Sequence, residues 1–564
     1  MNWRLKDGTW STFDASLRNI FPSLSSSNGR LRIEIYDLAE AGSAYLRASP
    51  SVIEEALRLS VKWTDVTAIA VDFLWGAYVV IVVDNETHIR HFFSDPLHSA
   101  RLHYCVEPDG EVAIDLDLSK LVRRNGVRWN VDFLEHYART QFCMTGRTAF
   151  TGIDVVPAGA ALSVSRDGDV ATSDVWTPKI SHGIDSQMHC EEAIETVFSN
   201  LTSRHSSICV ALSGGVDSSA AAIFLRRALG DSSPFPAVNY YSTASPESYE
   251  VDLAKQVADS IGADLICIDI EKHLPFSDLR PTTAPFNPSQ DMLFLSLEKE
   301  LTTILPQGTV LMEGQAGDML FNAIPTAASV VDAFEDVGVG FGLEIAHRLA
   351  VLRNDSVFGI LRSAAKVACS RSFFGKWRRR PDFGRLFHDH RKRSAGESWN
   401  NRTGYNRELL GTTSAELVKS IKQFVSIMPS ASERPQIRRL NPFLSYPIVE
   451  AAMSIKSYNS FSRRNDRISL RQAAYSIRQL EVLWRRTKGT FDLCFLKGVS
   501  ENQAALEALI MNGVLMSSGC LKEDSVVKAF KEVKVGQSDA AIPLALVGCA
   551  ETFCAAWASS DPCR

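Results

Sequence analysis

The sequence predicts an α/β protein built from two unlike parts. Residues 1–180 contain short apolar runs broken by turn residues, a pattern typical of antiparallel strands. Beyond residue 190, strand-like and helix-like segments alternate, which favours a parallel sheet with helices on its faces. From about residue 327 onward the pattern is mostly helical. We therefore predict two domains, 1–180 and 190–564.

Length and composition are those of a folded protein with more than one core. The chain has 564 residues, of which 45% are hydrophobic and 22% charged, so it is not a mostly disordered chain. A net charge of -5 gives no reason to expect a nucleic-acid partner. Its eleven cysteines form no CxxC pair, which argues against a zinc site and favours reduced, buried thiols.

Two apolar stretches need an explanation other than membrane insertion. Residues 68–83 and 541–558 are short for a span, and each contains an acid, Asp72 or Glu551. The N-terminal residues lack the apolar region of a secretory signal. We therefore expect buried strands or helices, no membrane partner and a cytoplasmic location.

The elements follow in order along the chain. In the first part, residues 30–36 alternate in polarity, residues 77–83 are typical of a fully buried strand, and residues 165–169 predict a hairpin loop. The segment 176–187 is the expected linker. After it the predicted strands are 207–212, 237–241 and 264–270, and the predicted helices are 191–200, 218–229 and 251–261.

One string between a predicted strand and a predicted helix has the composition of a phosphate-binding loop. Its members assigned to nucleotide binding are Leu212, Ser213, Gly214, Gly215, Asp217, Ser218 and Ser219. The glycines let the backbone approach a polyanion, the helix N-terminus attracts negative charge, and the serines donate hydrogen bonds. Asp217 would repel phosphate unless a metal lies between them, so Mg²⁺ is expected. A simple glycine turn that caps a helix is the alternative.

Two further strings fit the same picture. Gly314 and Asp318 belong to a Gly-x-x-Gly-Asp sequence after another apolar run, and Asp318 can join Asp217 in holding the metal. Taken alone, Asp318 is more often a turn or cap residue. Lys488 lies in a basic cluster beside a glycine, where it can stabilise negative charge at the α-phosphate. Taken in isolation, that cluster is a solvated basic turn.

Together these strings resemble the asparagine synthetase B-type superfamily, and the string 213–219 resembles the pyrophosphate loop of N-type ATP pyrophosphatases. Residues 94–104 and 148–159 are similar to N-terminal segments of that superfamily. The resemblance implies a class II glutamine amidotransferase-like (Ntn-type) β-sandwich at 1–180. It also implies an adenine-nucleotide α-hydrolase-like ATP-pyrophosphatase domain at 190–564, with catalytic Asp217, Asp318 and Lys488 and with ATP and Mg²⁺ as cofactors.

Two departures from the superfamily pattern bear on function. A glutaminase domain requires a cysteine nucleophile at position 2, where this chain has Asn2. At the position of a glutamate implicated as a base, this chain has Gln315, whose neutral amide cannot accept a proton. Asparagine synthesis from glutamine is therefore not expected.

Relatives without that cysteine form an amide with an amine already present in their substrate. Residues 132–137, the Gly317-Asp318 pair and the helical C-terminal part look most like microcin-type lasso peptide cyclases. This resemblance implies adenylation of an Asp or Glu side chain of a precursor peptide, followed by macrolactam formation with its N-terminal amine. A β-lactam synthetase-like enzyme, an ammonia-dependent asparagine synthetase and an inactive scaffold remain alternatives.

A basic segment, 376–393, supports a macromolecular partner. It combines arginines and lysines with Trp377. Docking of the precursor peptide or of a partner protease is one interpretation, and a solvated basic face is the other. His388 and His390 have no further ligands at zinc-site spacing and are expected to belong to a surface tract.

Overall fold

A computed structural model describes most of the chain. The described residues are 2–6, 9–12, 17–21, 23–38, 44–178, 180, 186–231, 233–242, 249–369, 383–388, 411–433, 435–486 and 492–559. Lys488 and His390 lie outside them, as does the basic segment 376–393 apart from residues 383–388.

Among the described residues, the first part contains two larger antiparallel sheets and a two-stranded antiparallel sheet formed by Ala44–Leu46 and Leu74–Gly76. Its strands are β1 (Asn2–Lys6), β2 (Thr9–Thr12), β3 (Leu17–Asn19), β4 (Leu24–Ser25), β5 (Leu31–Leu38), β6 (Ala44–Leu46), β7 (Leu74–Gly76), β8 (Tyr78–Asp84), β9 (Arg90–Ser94), β10 (His103–Val106), β11 (Val112–Asp115), β12 (Asp154–Val155), β13 (Ala160–Val164) and β14 (Val170–Asp174). One sheet has the order β12-β10-β11-β1-β2, and the other has the order β14-β13-β9-β8-β5-β3 with β4 paired to β5. The predicted hairpin at 165–169 is confirmed, because β13 and β14 pair directly across it.

These two sheets pack face to face around a shared core. Trp3 and Ile114 from one sheet meet Val79 and Phe92 from the other, and the rings of Trp3 and Phe92 lie 5.7 Å apart. Successive residues along β8 and β9 are buried, so both faces of the second sheet are covered in its centre.

Four helices flank the sandwich: the first two pack against the second sheet, the third packs against β10 and β11 of the first sheet, and the fourth packs against the C-terminal helix. They are α1 (Pro50–Arg58), α2 (Trp63–Phe73), α3 (Leu118–Asn125) and α4 (Val131–Thr140). In α1 the proline at the first turn favours helix initiation, and Ile53 and Leu57, four residues apart, are fully buried. The first part is therefore a β-sandwich flanked by helices, the architecture that the resemblance implied.

The second part contains a five-stranded parallel sheet, as predicted. Its strands are β15 (Ile208–Ala211), β16 (Pro236–Tyr241), β17 (Asp264–Asp269), β18 (Val310–Met312) and β19 (Arg438–Leu440). Its helices include α5 (Ser186–Arg204), α6 (Val216–Leu229), α7 (Tyr249–Ile261), α8 (Leu295–Ile304) and α9 (Gly317–Leu320). All neighbouring strands of this sheet run parallel.

Strand order in this sheet positions the candidate site. The order is β17-β16-β15-β18-β19, so the chain winds outward in one direction from β15 and in the other from β18. Adjacent strands whose connections leave in opposite directions open a crevice at their carboxyl ends, where α/β proteins bind ligands. The loops after β15 and β18 both open into this crevice.

The remaining helices form the extension predicted from residue 327. They are α10 (Ala328–Asp336), α11 (Val339–Arg353), α12 (Val357–Cys369), α13 (Thr412–Val425), α14 (Tyr446–Ser454), α15 (Ile468–Ile477), α16 (Asp492–Glu501), α17 (Gln503–Met511), α18 (Val514–Ser517), α19 (Glu523–Lys534) and α20 (Ala541–Ser559). The segment Ser538–Ser559 is long and apolar enough to cross a membrane, but 89% of its apolar window is buried inside the protein. It is packed as a core helix, as expected.

Candidate active site

The loop after β15 leads into the N-terminus of α6, and hydrogen bonds to β16 fix where it begins. The Leu212 amide donates to the Val238 carbonyl at 2.8 Å, and the Leu212 carbonyl accepts from Nδ2 of Asn239 at 2.8 Å. These bonds extend the sheet by one residue and aim the chain into the crevice. Because Gly215 caps α6 without a side chain, the first-turn amides remain available to an anion.

Serine hydroxyls shape this loop, but they do not all face the same way. Oγ of Ser213 and Oγ of Ser218 lie 2.9 Å apart, and the Gly215 amide donates to Ser213 Oγ at 3.3 Å. Ser213 is exposed and Ser218 half-buried, so both reach the loop surface. Ser219 is fully buried, and its amide donates to the Gly215 carbonyl. The contact of Ser219 with the nucleotide therefore remains a prediction, and its hydroxyl lies behind the loop surface.

Gly214 is required for a different structural reason from the one that the sequence predicted. Gly214 has a φ of +74°, and a Cβ placed on it would lie 2.9 Å from the amide nitrogen of Ala254 in α7. The missing side chain therefore faces the packed helix and not the phosphate crevice. Glycine is required at Gly214 by left-handed backbone and close helix packing.

The loops after β15 and β18 lie in direct contact, and this contact brings the two aspartates together. A Cβ on Gly314 would lie 2.7 Å from the Ser218 amide nitrogen, and one on Gly317 would lie 2.8 Å from Oδ1 of Asp217. Asp318 follows Gly317 immediately and is exposed to solvent. The predicted pair Asp217 and Asp318 therefore flanks a single contact between two loops.

This donor set suits a magnesium ion. Mg²⁺ prefers oxygen ligands and is usually held by one or two carboxylates together with substrate phosphates. Asp217 and Asp318 would hold it, and the glycine contact keeps both carboxylates at one end of the crevice. No group of three or more metal-ligating side chains occurs among the described residues.

Arg467 is a site residue that the sequence reasoning missed. Its Nη1 lies 2.7 Å from Oδ2 of Asp217, and its Nε lies 2.9 Å from Oδ1 of Asp466. Burial lowers the pKa of Arg467, but the charges of Asp217, Asp466 and Asp318 outweigh that effect and raise it. Arg467 is therefore a fixed cation at the metal-binding end of the crevice. No local pattern marks it, because its partner is 250 residues away.

A buried arginine ties the segment before Lys488 to this site. Arg471 is 1% exposed and donates to the carbonyls of Leu483 and Arg485 and to Asp466 Oδ1. Arg485 in turn donates to Glu250 Oε1 at 2.6 Å, at the start of α7. The chain that leads to Lys488 is thus anchored beside the crevice, while the role of Lys488 remains a prediction.

Gln315 has a specific partner. Its Nε2 donates to Oε2 of Glu313 at 2.9 Å, and Glu313 forms an ion pair with Arg439 of β19. Arg439 also pairs with Glu298 of α8. The neutral amide of Gln315 is therefore held as a hydrogen-bond donor at the edge of the crevice, and the buried Glu313 carboxylate is neutralised by arginine.

A large cavity separates the β-sandwich from the parallel-sheet part. Its volume is about 1180 Å³, and residues of both parts line it. Its lining includes Tyr45, Asp95, Glu298, Arg438, Arg439 and Tyr446 but no residue of the loops that carry Asp217 and Asp318. Arg439 connects the lining to the second loop, because it pairs with Glu313, the residue before Gly314.

Comparison with known proteins places the chain in a family. The profile of the family described as asparagine synthase matches residues 190–558, well over half of the chain. No curated protein matches this chain.

Solved structures give weaker likenesses. A glutamine phosphoribosylpyrophosphate amidotransferase from B. subtilis, complexed with ADP and GMP, is 10% identical, with 53% of this chain and 59% of that chain covered and a TM-score of 0.18. A structure titled as the allosteric regulatory enzyme of purine biosynthesis is 11% identical, with 59% and 62% covered and a TM-score of 0.18. The chain thus spans about three-fifths of each, and these scores carry no argument.

The family match includes the crevice, the two loops that carry Asp217 and Asp318, and the arginines Arg467 and Arg471. Members of this family are ATP-dependent ligases that form amides and release AMP. The chain belongs to the asparagine synthase family.

Proposed function

We propose that this protein is an ATP-dependent lasso peptide cyclase. It adenylates an Asp or Glu side chain of a precursor peptide and then joins that carbonyl to the peptide's N-terminal amine as a macrolactam. The observation that carries the proposal is the contact of Gly317 with Asp217, which places Asp217 and Asp318 together at the N-terminus of α6.

The reaction has two steps. In the first, a substrate carboxylate oxygen attacks the α-phosphorus of ATP and the bond to the pyrophosphate oxygen breaks. In the second, the peptide amine attacks the acyl carbon, the bond to AMP breaks, and one proton is released. Bound Mg²⁺ would neutralise charge on the departing pyrophosphate.

The chain's own residues provide charge and orientation for these steps. The α6 amides and the hydroxyls of Ser213 and Ser218 bind phosphate oxygens, and Arg467 places a cation at the same end of the crevice. Lys488 stabilises the negative charge of the tetrahedral intermediate of amide formation. Arg471 holds the segment that leads to it.

Two residues speak against asparagine synthesis. Asn2 supplies no thiol, so this chain has no nucleophile for glutamine at that position. Gln315, hydrogen-bonded as a donor to Glu313, cannot act as a base. An amine carried by the substrate itself removes the need for either group.

Cavity size supports a peptide over a small substrate. Ligand sites for small molecules usually measure about 300–1,000 Å³. The cavity of about 1180 Å³ exceeds that range and extends along the wall to Arg439, beside the loop of Asp318. A β-lactam synthetase-like reaction on a small amino acid derivative is the second candidate, and an ammonia-dependent asparagine synthetase the third.

Partners and location follow from the same proposal. A leader protease would expose the peptide amine that attacks the adenylate, and the precursor is made in the cytoplasm. Segment 376–393 is the proposed contact for the precursor or the protease, although most of it lies outside the described residues.

The decisive experiment is a cyclisation assay read by mass spectrometry. The protein, a precursor peptide encoded beside it, the partner protease and ATP with Mg²⁺ should yield a core peptide lighter by one water. A core peptide with an acetylated N-terminus should still support adenylation, measured as pyrophosphate exchange, but should not cyclise. Turnover of free aspartate with ammonia, and none with the peptide, would contradict the proposal.

A further inference from the structure

One end of the large cavity contains a buried hydroxyl that no described residue hydrogen-bonds. It belongs to Tyr45, which lines the cavity and is 4% exposed. The ring of Tyr45 is held on both faces, by Trp75 with ring centroids 4.0 Å apart and by the Arg204 guanidinium at 4.3 Å. Because buried polar groups in folded proteins normally have a partner, this fixed hydroxyl indicates a place where a ligand binds.

Arg438 places a cation at the same end of the cavity. It lines the cavity, is half-buried, and forms no hydrogen bond or ion pair with a described residue. Burial raises the pKa of Tyr45 and lowers that of His205, and the charge of Arg438 acts on both groups. Tyr45, His205 and Arg438 therefore lie together, and we call this place the Arg438 end of the cavity.

The charges around the Arg438 end leave one cation unbalanced. Among the described carboxylates only that of Asp37 acts on Arg438, and Asp37 also faces Arg204 at 4.0 Å. His205 is uncharged at neutral pH, because burial and the charges of Arg438 and Arg204 lower its pKa to about 4. A group with a single negative charge would therefore neutralise this end of the cavity.

We propose that the Arg438 end of the cavity binds the carboxylate group of a ligand. The planar guanidinium of Arg438 donates two parallel hydrogen bonds to the two carboxylate oxygens, and the Tyr45 hydroxyl donates a third. The single charge of the carboxylate matches the one unbalanced cation. A phosphate group, with a charge of about -1.5 to -2 at neutral pH, would exceed it.

Two kinds of ligand carry such a group. One is a free small acid, and the other is the C-terminus of the peptide substrate, which rests on the proposed function. The position of Arg438 in β19 suits the peptide. Arg438 lies two residues, or about 7 Å, before Leu440, whose carbonyl accepts from the Glu313 amide next to Gly314. A peptide held at Arg438 would therefore lie along a strand that leads toward the crevice.

Benzoate and its neutral analogue benzamide test the site directly. Isothermal titration of the full chain should show that benzoate binds about 10-fold or more tightly than benzamide, because only benzoate pairs with a guanidinium. Arg438→Met should remove this preference. Tyr45→Phe should weaken benzoate about 3-fold or more and leave benzamide unchanged, since it removes one donor and keeps the ring.

The matched control is Arg123→Met, at an exposed arginine of the same cavity lining, which should keep the preference for benzoate. Equal binding of benzoate and benzamide to the wild-type chain would overturn the proposal. A preference that survives both Arg438→Met and Tyr45→Phe, with both variants folded by circular dichroism, would overturn it as well.

The core peptide identifies which ligand supplies the carboxylate. If it is the peptide terminus, the peptide with a free C-terminus should bind about 10-fold more tightly than the same peptide amidated there, and benzoate should compete with it. Equal binding of the two peptides, with the benzoate preference intact, would assign the site to a free small acid. Failure of the peptide to cyclise would contradict the proposed function and leave the benzoate result standing.

Discussion

Both oxygens of Asp217 face named neighbours. Arg467 Nη1 lies 2.7 Å from Oδ2 of Asp217, and Gly317 packs closely against Oδ1. The absence of a side chain at Gly317 lets its loop approach the Asp217 carboxylate. Asp318, exposed on the adjoining loop, completes the pair.

Loss of the Asp217 charge should stop adenylation. Asp217→Asn is expected to slow pyrophosphate exchange by about 100-fold or more, because the metal loses one of its two carboxylates.

Lys488→Ala should reduce cyclised product to a similar extent, whereas Asn2→Ala should change little. Asp231→Asn, at an aspartate whose side chain is 84% exposed and which lies two residues beyond the end of α6, serves as the control and should keep full activity.

Arg467 should matter for nucleotide use and not merely for folding. Arg467→Met is expected to raise the KM for ATP and slow exchange by about 10- to 100-fold, because a fixed cation at the phosphates is lost. Arg467→Lys should recover part of the KM change, since it restores the charge without the planar fork. An unchanged KM for ATP in Arg467→Met would remove Arg467 from the site.

At the scale of elements, the packing of the phosphate loop against α7 determines the shape of the loop between β15 and α6. The left-handed Gly214 lets the loop turn against Ala254, and the N-terminus of α6 then points at the crevice. The loop's shape thus depends on a neighbouring helix as well as on its own residues.

Two glycines with similar φ values help to separate these contributions. Gly214 and Gly230 have φ values of +74° and +76°, but only Gly214 has backbone atoms in the way of a Cβ. Gly230 also has a ψ of 162°, a conformation almost confined to glycine, so Gly230→Ala should cost about 1–3 kcal/mol for the backbone alone. Gly214→Ala should cost a further 1–3 kcal/mol, roughly, for overpacking against α7. Urea unfolding measures both; equal losses would show that packing on α7 is unimportant.

The β-sandwich should be sensitive to acid through a buried histidine. His91 is 6% exposed, stacks on Trp63 with ring centroids 4.2 Å apart and contacts Ser163 Oγ at 2.8 Å. Burial lowers the pKa of His91 to about 4. Between that value and the ordinary pKa near 6.5, the unfolded chain binds a proton that the folded chain does not, so stability is lost as pH falls.

His91→Phe should remove this dependence. The wild-type chain is expected to lose roughly 1.4 kcal/mol per pH unit more than the variant between about pH 6 and pH 4.5. Urea unfolding of both proteins at several pH values gives the two slopes. Parallel slopes would show that His91 is already protonated in the folded state.

At the scale of the whole molecule, the two parts share hydrophobic clusters, and a buried arginine adds polar contacts between them. Arg101 of the sandwich is 2% exposed, and its Nη2 donates to the carbonyls of Val425 and Met428 in the second part. Arg47 and Glu450 form a further, more exposed pair across the boundary at 2.9 Å. These contacts enclose the cavity of about 1180 Å³ between the parts.

Removal of Arg101 should uncouple the two parts. Arg101→Ala leaves two buried carbonyls without their donor and is expected to cost about 2–4 kcal/mol. Scanning calorimetry should then resolve two unfolding transitions where the wild-type chain shows one. Arg147→Ala, at a 42% exposed arginine within the sandwich, should leave the profile unchanged. A single unaltered transition in Arg101→Ala would mean that the parts are joined by other contacts.

Sequence reasoning was strongest where the signal was local. The strand predicted at 237–241 and the helix predicted at 251–261 occur at Pro236–Tyr241 and Tyr249–Ile261. The position of the phosphate loop between a strand and α6 also followed from periodicity and glycine content. The roles of Gly214 and Ser219 did not, because each depends on what packs behind the loop.

By itself, the sequence determined the two-part architecture, the parallel β-α-β path and the loop that begins at Ser213, since side-chain periodicity and backbone preference act between near neighbours. Only the tertiary structure decided that β18 lies beside β15, that Gly317 meets Asp217 and that Arg467 arrives from 250 residues away. Those contacts result from strand order and helix packing, which bring together residues that no local pattern links.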